Sequence, residues 1–589
     1  MQLTERIFTG KGDIKADTIL EHCRIINVNT KEILNADIAI QSGYIVGIGD
    51  VSGLRDASTR IIDVNNSYVS PGLLDGHVHF ESSMVTLSRF ARKALEHGTT
   101  GIVIDPHEIA NVLGRQGIEL VMEEAKSLAL NIFVAVSSCV PATPFETSGA
   151  SLDAADVQAL IENEMVVCLG EVMDFPAVLS GDAGKLAMIQ AALERRLVVD
   201  GHAPGLMGLD LWGYMATGIS SDHESITYKE ALEKLRLGMK LMLREGSAAK
   251  CLENFLPRLL EEGVSLENVF FVTDDKHPED LLGGYMDCIV RKAISLGLDP
   301  LDAISMCTIN TARHYRIDHL VGSISIGRRA DLVILDDLEE FSIHSVIAGG
   351  APIALNAPIA SIEAQTPVFN YPDYVFDTIR YREIKPQDMQ IIYAPDSSVS
   401  VNIIKVFPDQ IFTDKDNAKL VTDGSGVLLP DANRDILSTA VIERHGKNGN
   451  IGLGFVNGFG LKSGAFAQSI GHDSHNVVVT GTDHADMALA ANAIKEMKGG
   501  IVLVQDGEVL DSMSLPFAGL LSPDPVEEVA LKLEGLHGTI KEMGCTLPAP
   551  FITHSFIALP VIPKLRLTDM GLFDVERFEM VKVIIGTKK

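Results

Sequence analysis

At 589 residues the chain is too long for one ordinary domain and suits three or four, or fewer if a large barrel is among them. Hydrophobic residues make up 46% and charged residues 22%, a globular composition that excludes a largely disordered chain. The net charge of −30, from 49 Lys+Arg against 79 Asp+Glu, excludes broad binding to nucleic acid or an anionic membrane, because both need a basic footprint.

The N-terminal stretch has no apolar core and does not read as a secretory signal. The seven cysteines are scattered, with no CxxC pair, so a disulfide framework or zinc knuckle is not expected. Buried thiols in a reducing, cytoplasmic compartment are the expectation. From about Asp17 to Asn66, short β-rich runs alternate with turns (Thr18–Leu20, Arg24–Val28, Ala36–Ile40, Tyr44–Ile48) and predict a small sheet or sandwich. A matching signal at Gly322–Leu335 predicts that the two segments, 1–70 and 321–366, form one discontinuous β-sandwich around a long middle.

That middle, residues 71–320, alternates apolar strand-like runs with helical ones such as Lys229–Leu235. The runs end near His79, His107, Ser137, Glu171, His202, His223, Glu245 and Asp274. Eight such units over about 250 residues predict an α/β fold of the (β/α)8 TIM type, whose active site lies at the C-terminal strand ends. The uncharged stretch Ser127–Phe145 is read as a helix end entering a buried strand, not as a membrane span. Pro367–Pro386 reads as a linker, and residues 367–589 as a further C-terminal α/β or α+β domain. Within it, Gly-rich Asn448–Gly464 carries only a weak phosphate-binding signal.

Nearly every barrel run ends in a residue able to bind metal or move protons. His77 and His79 lie one residue apart, so on a strand both imidazoles project to one face; the plain alternative is a pair of hydrogen-bonded strand-end histidines. Together His77, His79, Glu171, His202, His223 and Asp274 suit two divalent first-row ions, with Glu171 as bridge because a carboxylate has one oxygen for each. Asp274 is the expected general base and Asp275 its rival; strand alternation should point only one of them inward. His107-Glu108 is not half of a zincin motif, because position 111 is Asn. His107 is read as a support behind the ligands, a substrate contact or a ligand for an extra ion, with a plain hydrogen-bonded histidine the equal alternative; Glu81, Arg244 and Glu245 are candidate substrate contacts, for all three of which a salt-linked rim around the pocket is the alternative. The polar run His472-Asp473-Ser474-His475, followed by Asp483-His484, is read first as solvated surface and second as a cap over the barrel mouth.

These motifs resemble the amidohydrolase superfamily: Pro71 to His79 on the first strand, histidines on the fifth and sixth, Asp274 on the eighth, and the return to a sandwich at Gly322–Val333. Within it, the stretches His77–Met84, Asp105–Val112, Gly170–Asp174, Asp200–Pro204, Ser221–Glu224, Arg244–Ser247, Thr273–Pro278 and Gly471–Asn476 are similar to the adenine deaminase family over essentially the whole chain. Many superfamily members bridge their metals with a carbamylated lysine on the fourth strand, where this chain has Glu171, as the adenine deaminase type does. The resemblance implies hydrolytic deamination of adenine to hypoxanthine, two ions per subunit with Mn2+ or Fe2+ preferred over zinc, and a homodimer or larger homo-oligomer. Catalytic roles fall to Asp274 and Glu171, the latter a candidate proton donor to the ring. A cyclic-amide hydrolase and a metal-free scaffold are the rival readings; the scaffold should have lost at least one ligand, and all six candidates are present.

Overall fold

The computed structural model describes residues 3–247, 249–353, 355, 367–408 and 410–585. Strands from both ends of the barrel segment share one eight-stranded sheet, running Ala351–Ile353, Ser342–Ala348, Leu332–Asp337, Tyr68–Pro71, Thr18–Asn27, Glu32–Gln41 and Tyr44–Gly49, with Arg60–Asp63 beside Thr18–Asn27. Ile38, Ile40 and Ile45 from one end pack in the same core as Leu332, Ile334 and Ile347 from the other. Ile45 N also donates to Arg328 O at 2.9 Å, so the sheet curls onto itself like a sandwich. Two expectations are corrected. The runs Thr18–Leu20 and Arg24–Val28 belong to a single strand bulged between Leu20 and Cys23, where His22 has a left-handed backbone (φ 60°). The signal at Gly322–Leu335 becomes strand only from Leu332.

All eight predicted barrel strands form and run parallel. They are Leu73–His79, Thr99–Ile104, Asn131–Val136, Val166–Val172, Val198–Gly201, Ser221–Asp222, Lys240–Arg244, and Val269–Val272 resuming as Asp274–Asp275. The last pairs with the first through Asp274–Val78 and Asp275–His79, closing the ring. Between the fifth and sixth strands the ladder thins, and Ser220 N donates to Val199 O (3.0 Å). Alternation explains why these runs are apolar throughout. Leu74, Val103, Phe133, Val167, Val198, Met242 and Phe270 fill the interior, while Ile102, Ile104, Val134, Leu169, Val199 and Leu243 pack under the helices. Ser127–Phe145 contains the third strand as expected, and no helix among the described residues is long and apolar enough to cross a membrane.

The C-terminal part is built on a second eight-stranded sheet, in the order Asp414–Val421, Ser398–Lys405, Ile451–Asn457, Ile436–Ile442, Val477–Gly481, Ala465–Gln468, Gly500–Gln505 and Glu508–Ser514. Helix His484–Glu496 lays Met487, Ala488, Ala491 and Ile494 on one face of this sheet, and helix Val526–Glu542 packs Val529, Leu533 and Leu536 beside Ile501 and Leu503 on the other. The Gly-rich segment forms no phosphate cradle: the Glu443 carboxylate takes the amides of Lys447, Asn448 and Gly449 at 3.0, 3.1 and 3.0 Å. This part docks on the barrel mouth, where Thr147 N and Oγ1 donate to Asp569 (2.8 and 2.7 Å) and Ser522 N donates to Met84 O (2.7 Å). The boundary expected at 366 adjoins residues 356–366, which lie outside the described residues.

Candidate metal centre

The six expected ligands converge at the C-terminal end of the barrel, all but His202 fully buried. Glu171, on the fourth strand, stands between the imidazoles. Its Oε1 lies 3.3 Å from His79 Nε2 and 3.3 Å from His107 Nδ1; its Oε2 lies 2.7 Å from His202 Nδ1 and 3.3 Å from His223 Nε2. Across the mouth, Asp274 Oδ1 is 3.1 Å from His79 Nε2 and 3.4 Å from His77 Nε2, and the His77 and His223 rings stack at 4.4 Å. Four overlapping groups have ligand atoms within 4.8 Å of one another: His77-His79-Glu171, His77-His223-Asp274, Glu171-His202-His223 and Asp105-His107-Glu171.

The donor set fits divalent ions. His77 Nε2 and both ring nitrogens of His223 are buried without an aligned hydrogen bond, a costly state unless something else takes their lone pairs. The ligands are also held from behind. His79 Nδ1 donates to Asp105 O at 2.8 Å, turning Nε2 towards the carboxylates, and Asp105 in turn accepts from Ser137 Oγ (2.7 Å) and Glu171 N (3.2 Å). Buried Lys234 ties the loops after the fifth and sixth strands by donating to Ala203 O and Asp222 Oδ2, each at 2.8 Å.

Burial alone would push both central carboxyls up. For Glu171 the surrounding His202, His107 and His223 override it, and for Asp274 the Arg244 guanidinium with His77 and His79 does so, leaving both well below the usual carboxylate range. Arg244 Nη1 donates to Asp274 Oδ2 at 2.5 Å and also grips Glu224. Burial drives the imidazoles down, but Asp274 and Glu171 raise His79 well above its ordinary value, and Glu171 with Asp274 raises His223 to about 9.

These groups line a cleft that opens to solvent. His107, Glu224, Arg244 and Asp473 supply polar walls, and Met173, Ile411, Phe556 and Leu559 apolar ones.

Residues 68–363 match the amidohydrolase family, and residues 410–579 match the adenine deaminase C-terminal domain. A protein of Methanococcoides burtonii named adenine deaminase is 63% identical over 99% of this chain and 98% of its own length. The chain belongs to the adenine deaminase family of amidohydrolases. Proteins of the same name from Dehalococcoides mccartyi and Moorella thermoacetica are 43% and 42% identical, over 98% and 99% of this chain and 99% and 98% of theirs. Like other amidohydrolases, this family member is a hydrolase with a clustered His/Glu/Asp site for divalent metal.

Several expectations for the adenine deaminase site are sharpened by its geometry. Asp274 does face the imidazoles, but simple alternation is not the reason. Its backbone is left-handed (φ 64°), which breaks the eighth strand at Thr273, and Asp275 lines the cleft too while accepting from Ser82 Oγ at 2.5 Å. His107 faces the cleft. Glu81 instead lines an adjoining cavity, accepting from Ile109 N (3.3 Å), with burial raising its carboxyl to about 7. Arg244 lines the cleft, whereas Glu245 turns outward to Lys292 (2.6 Å). The first reading of His472–His475 as solvated surface is overturned: all four residues are buried, and the segment caps the barrel mouth. His484 lies apart, with Nε2 3.3 Å from Ser438 Oγ. Sequence reasoning did not single out Glu108 or Glu224 as residues of the mouth, whereas Asp473 fell within the run whose second reading was a cap over it. For Glu108 and Glu224, a polar residue directly following a marked histidine was the available signal.

Proposed function

We infer that the chain hydrolyses adenine to hypoxanthine and ammonia. The observation that carries this reading is the division of Glu171, one oxygen towards His79 and the other towards His202 and His223, beneath a cleft with polar and apolar walls. Two divalent ions held by His77, His79, Glu171, His202, His223 and Asp274 would supply an activated water at neutral pH. The proposed ions are Mn2+ or Fe2+, in keeping with a donor set that includes carboxylates.

The chain's own groups then do the following. Asp274, kept ionised and aligned by Arg244, accepts the proton from the attacking water and delivers it to the departing amine. The oxygen adds to C6, ring N1 gains a proton, and breaking of the C6–N bond releases ammonia. Glu171, which the imidazoles hold ionised and whose bridging role is the better supported of its two, would first take up the water's second proton and then pass it to N1. His107 lies beside Glu171 at the cleft wall and is proposed to hydrogen-bond the purine. Glu81 is proposed to support that contact indirectly, because it lines the adjoining cavity. The reading places the protein in the cytoplasm as a homodimer or larger homo-oligomer, without nucleic-acid or membrane partners.

Turnover of adenine by metal-reconstituted protein tests the reading, with ammonia release and metal content measured on one sample. Deamination with the Glu171 pair filled is expected. No turnover in that state would refute adenine as substrate, and ring opening of a dihydropyrimidine would favour the cyclic-amide reading.

A further inference from the structure

We propose that Glu108, His472 and His475 form a separate site for one first-row divalent ion such as Zn2+, which fastens the C-terminal cap to the barrel. This goes beyond the adenine reading and does not depend on it.

Glu108 sits on the short helix His107–Leu113 that follows the second barrel strand, and the two histidines sit on the turn leading into strand Val477–Gly481 of the C-terminal sheet. His472 Nδ1 is 3.3 Å from Glu108 Oε1 and His475 Nε2 is 4.0 Å from Glu108 Oε2; ligand atoms of all three residues lie within 4.8 Å of one another. Tetrahedral zinc with bonds of about 2.0 Å sets its ligand atoms about 3.3 Å apart. Of the three pairs, His472 and Glu108 are already at that spacing, His475 and Glu108 are at 4.0 Å, and the two histidines have ligand atoms within 4.8 Å, so the loop must tighten slightly to close on an ion.

Two deficits at this place point to a cation. His475 is fully buried, and among the described residues neither of its ring nitrogens has a hydrogen-bond partner. Glu108 is also buried beside the Glu81 and Asp275 carboxylates and makes no Lys or Arg ion pair among the described residues; Ser82 Oγ donates to it at 3.5 Å. A hydrogen bond from a protonated Glu108 to His472 would satisfy that pair and leave His475 unanswered. A divalent ion answers both, since it balances the carboxylate and takes an imidazole lone pair. Burial, with the nearby His107 and His79, pulls His472 down to about 3, and burial with His472 and Arg444 pulls His475 well below its ordinary value, so both rings are neutral and able to ligate.

The site is distinct from the Glu171 cluster. His107 and Asp473 stand between them, with His107 Nδ1 3.3 Å from Glu171 Oε1 and Nε2 3.9 Å from Asp473 Oδ1. On its other side is the cavity lined by Glu81, Ser82, Gln468 and Ser555, which leaves room for water as a fourth ligand. Binding here would join a barrel loop to a cap loop and fix Asp473 over the catalytic cleft.

Chelator-stripped full-length protein reloaded with Zn2+ and freed of excess should carry three ions per chain, and His475→Gln and Glu108→Gln two. Anomalous diffraction from the zinc-loaded wild type should show a peak between Glu108 and His475. A wild type holding no ion there, or variants that keep the same count as wild type, would overturn the proposal. Should the variants fail to fold, the anomalous map of the wild type decides alone. Absence of this peak from the zinc-loaded wild type, with its adenine turnover intact, would refute the third site and leave the deaminase reading standing.

Discussion

Replacing Lys234 by Met should show how the barrel holds two of its histidine-bearing strand ends. The Lys234 ammonium is fully buried and donates to Ala203 O (2.8 Å), Asp222 Oδ2 (2.8 Å), Glu230 Oε1 (2.7 Å) and Ser225 Oγ (3.2 Å). Asp222 also takes the Ala203 amide and Glu230 the Gly205 amide, each at 2.9 Å, so the loops carrying His202 and His223 are wound around one charge. Burial would raise the Asp222 carboxyl, and Lys234 reverses this. Lys234→Met therefore strands two carboxylates in the interior. Removing one partner of such a network costs about 3–5 kcal/mol. At about 2–4 °C per kcal/mol for a domain of barrel size, melting should fall by about 6–20 °C. Displaced histidines should also weaken ion retention by about 10- to 100-fold, measured by chelator competition. Adding Asp222→Asn and Glu230→Gln removes the stranded charges and should restore part of the melting loss. Calorimetry within about 2 °C of wild type, with unchanged chelator competition, would refute the reasoning.

Asp274→Asn should lower kcat by about 10²- to 10⁴-fold with the ions still bound, and near-normal turnover of that metal-loaded variant would rule out Asp274 as the base. Phe556→Ala removes an apolar wall of the cleft, one that stacks on His472 at 4.6 Å. A base-stacking contact of about 1–3 kcal/mol predicts a KM about 5- to 150-fold higher with kcat little changed, read from steady-state kinetics. His554, buried among Phe459 and Phe466 with Nε2 3.0 Å from Thr480 Oγ1, is pulled by burial from 6.5 to about 3. Between those values the unfolded chain binds a proton the folded one refuses, so stability falls as pH falls. At pH 5 the loss is about 2 kcal/mol relative to pH 8, and His554→Leu should remove that part of the acid dependence in urea titrations.

The barrel was legible because its strands are apolar on both faces and stop abruptly at ionisable residues. Six of those residues lie at the mouth within reach of one another, as their strand-end positions implied. The mouth's upper half was less legible for a physical reason. Local polarity marks His472–His475 as solvent-facing, and its burial arises only when distant residues such as Glu108 and Phe556 close over it. Alternation also failed at Asp274, where a left-handed residue redirects the strand and puts both aspartates at the cleft. The bulge at Leu20–Cys23 was invisible because one extra residue leaves composition and hydropathy unchanged.

Chemistry and recognition are consequently carried by different parts of the chain. The floor of the cleft is barrel: His79, Glu171, His202, His223 and Asp274, a polar set suited to hold ions and move protons. Its roof is largely C-terminal: Ile411, Phe556, Leu559 and Ile562, with His472 and Asp473 the polar exceptions. A purine has apolar faces and hydrogen-bonding edges, so it matches a cleft whose roof contacts faces while its floor and walls contact an edge. On the adenine reading, the roof is the surface proposed to face a flat base, and the barrel floor holds the proposed ligands. Joining the two halves is therefore part of making the site, and the buried loop at His472–His475 is where the roof meets the second barrel strand's helix. Substitutions at that seam should act on substrate selection, whereas substitutions at Glu171 should act on the ions and hence on the reaction itself.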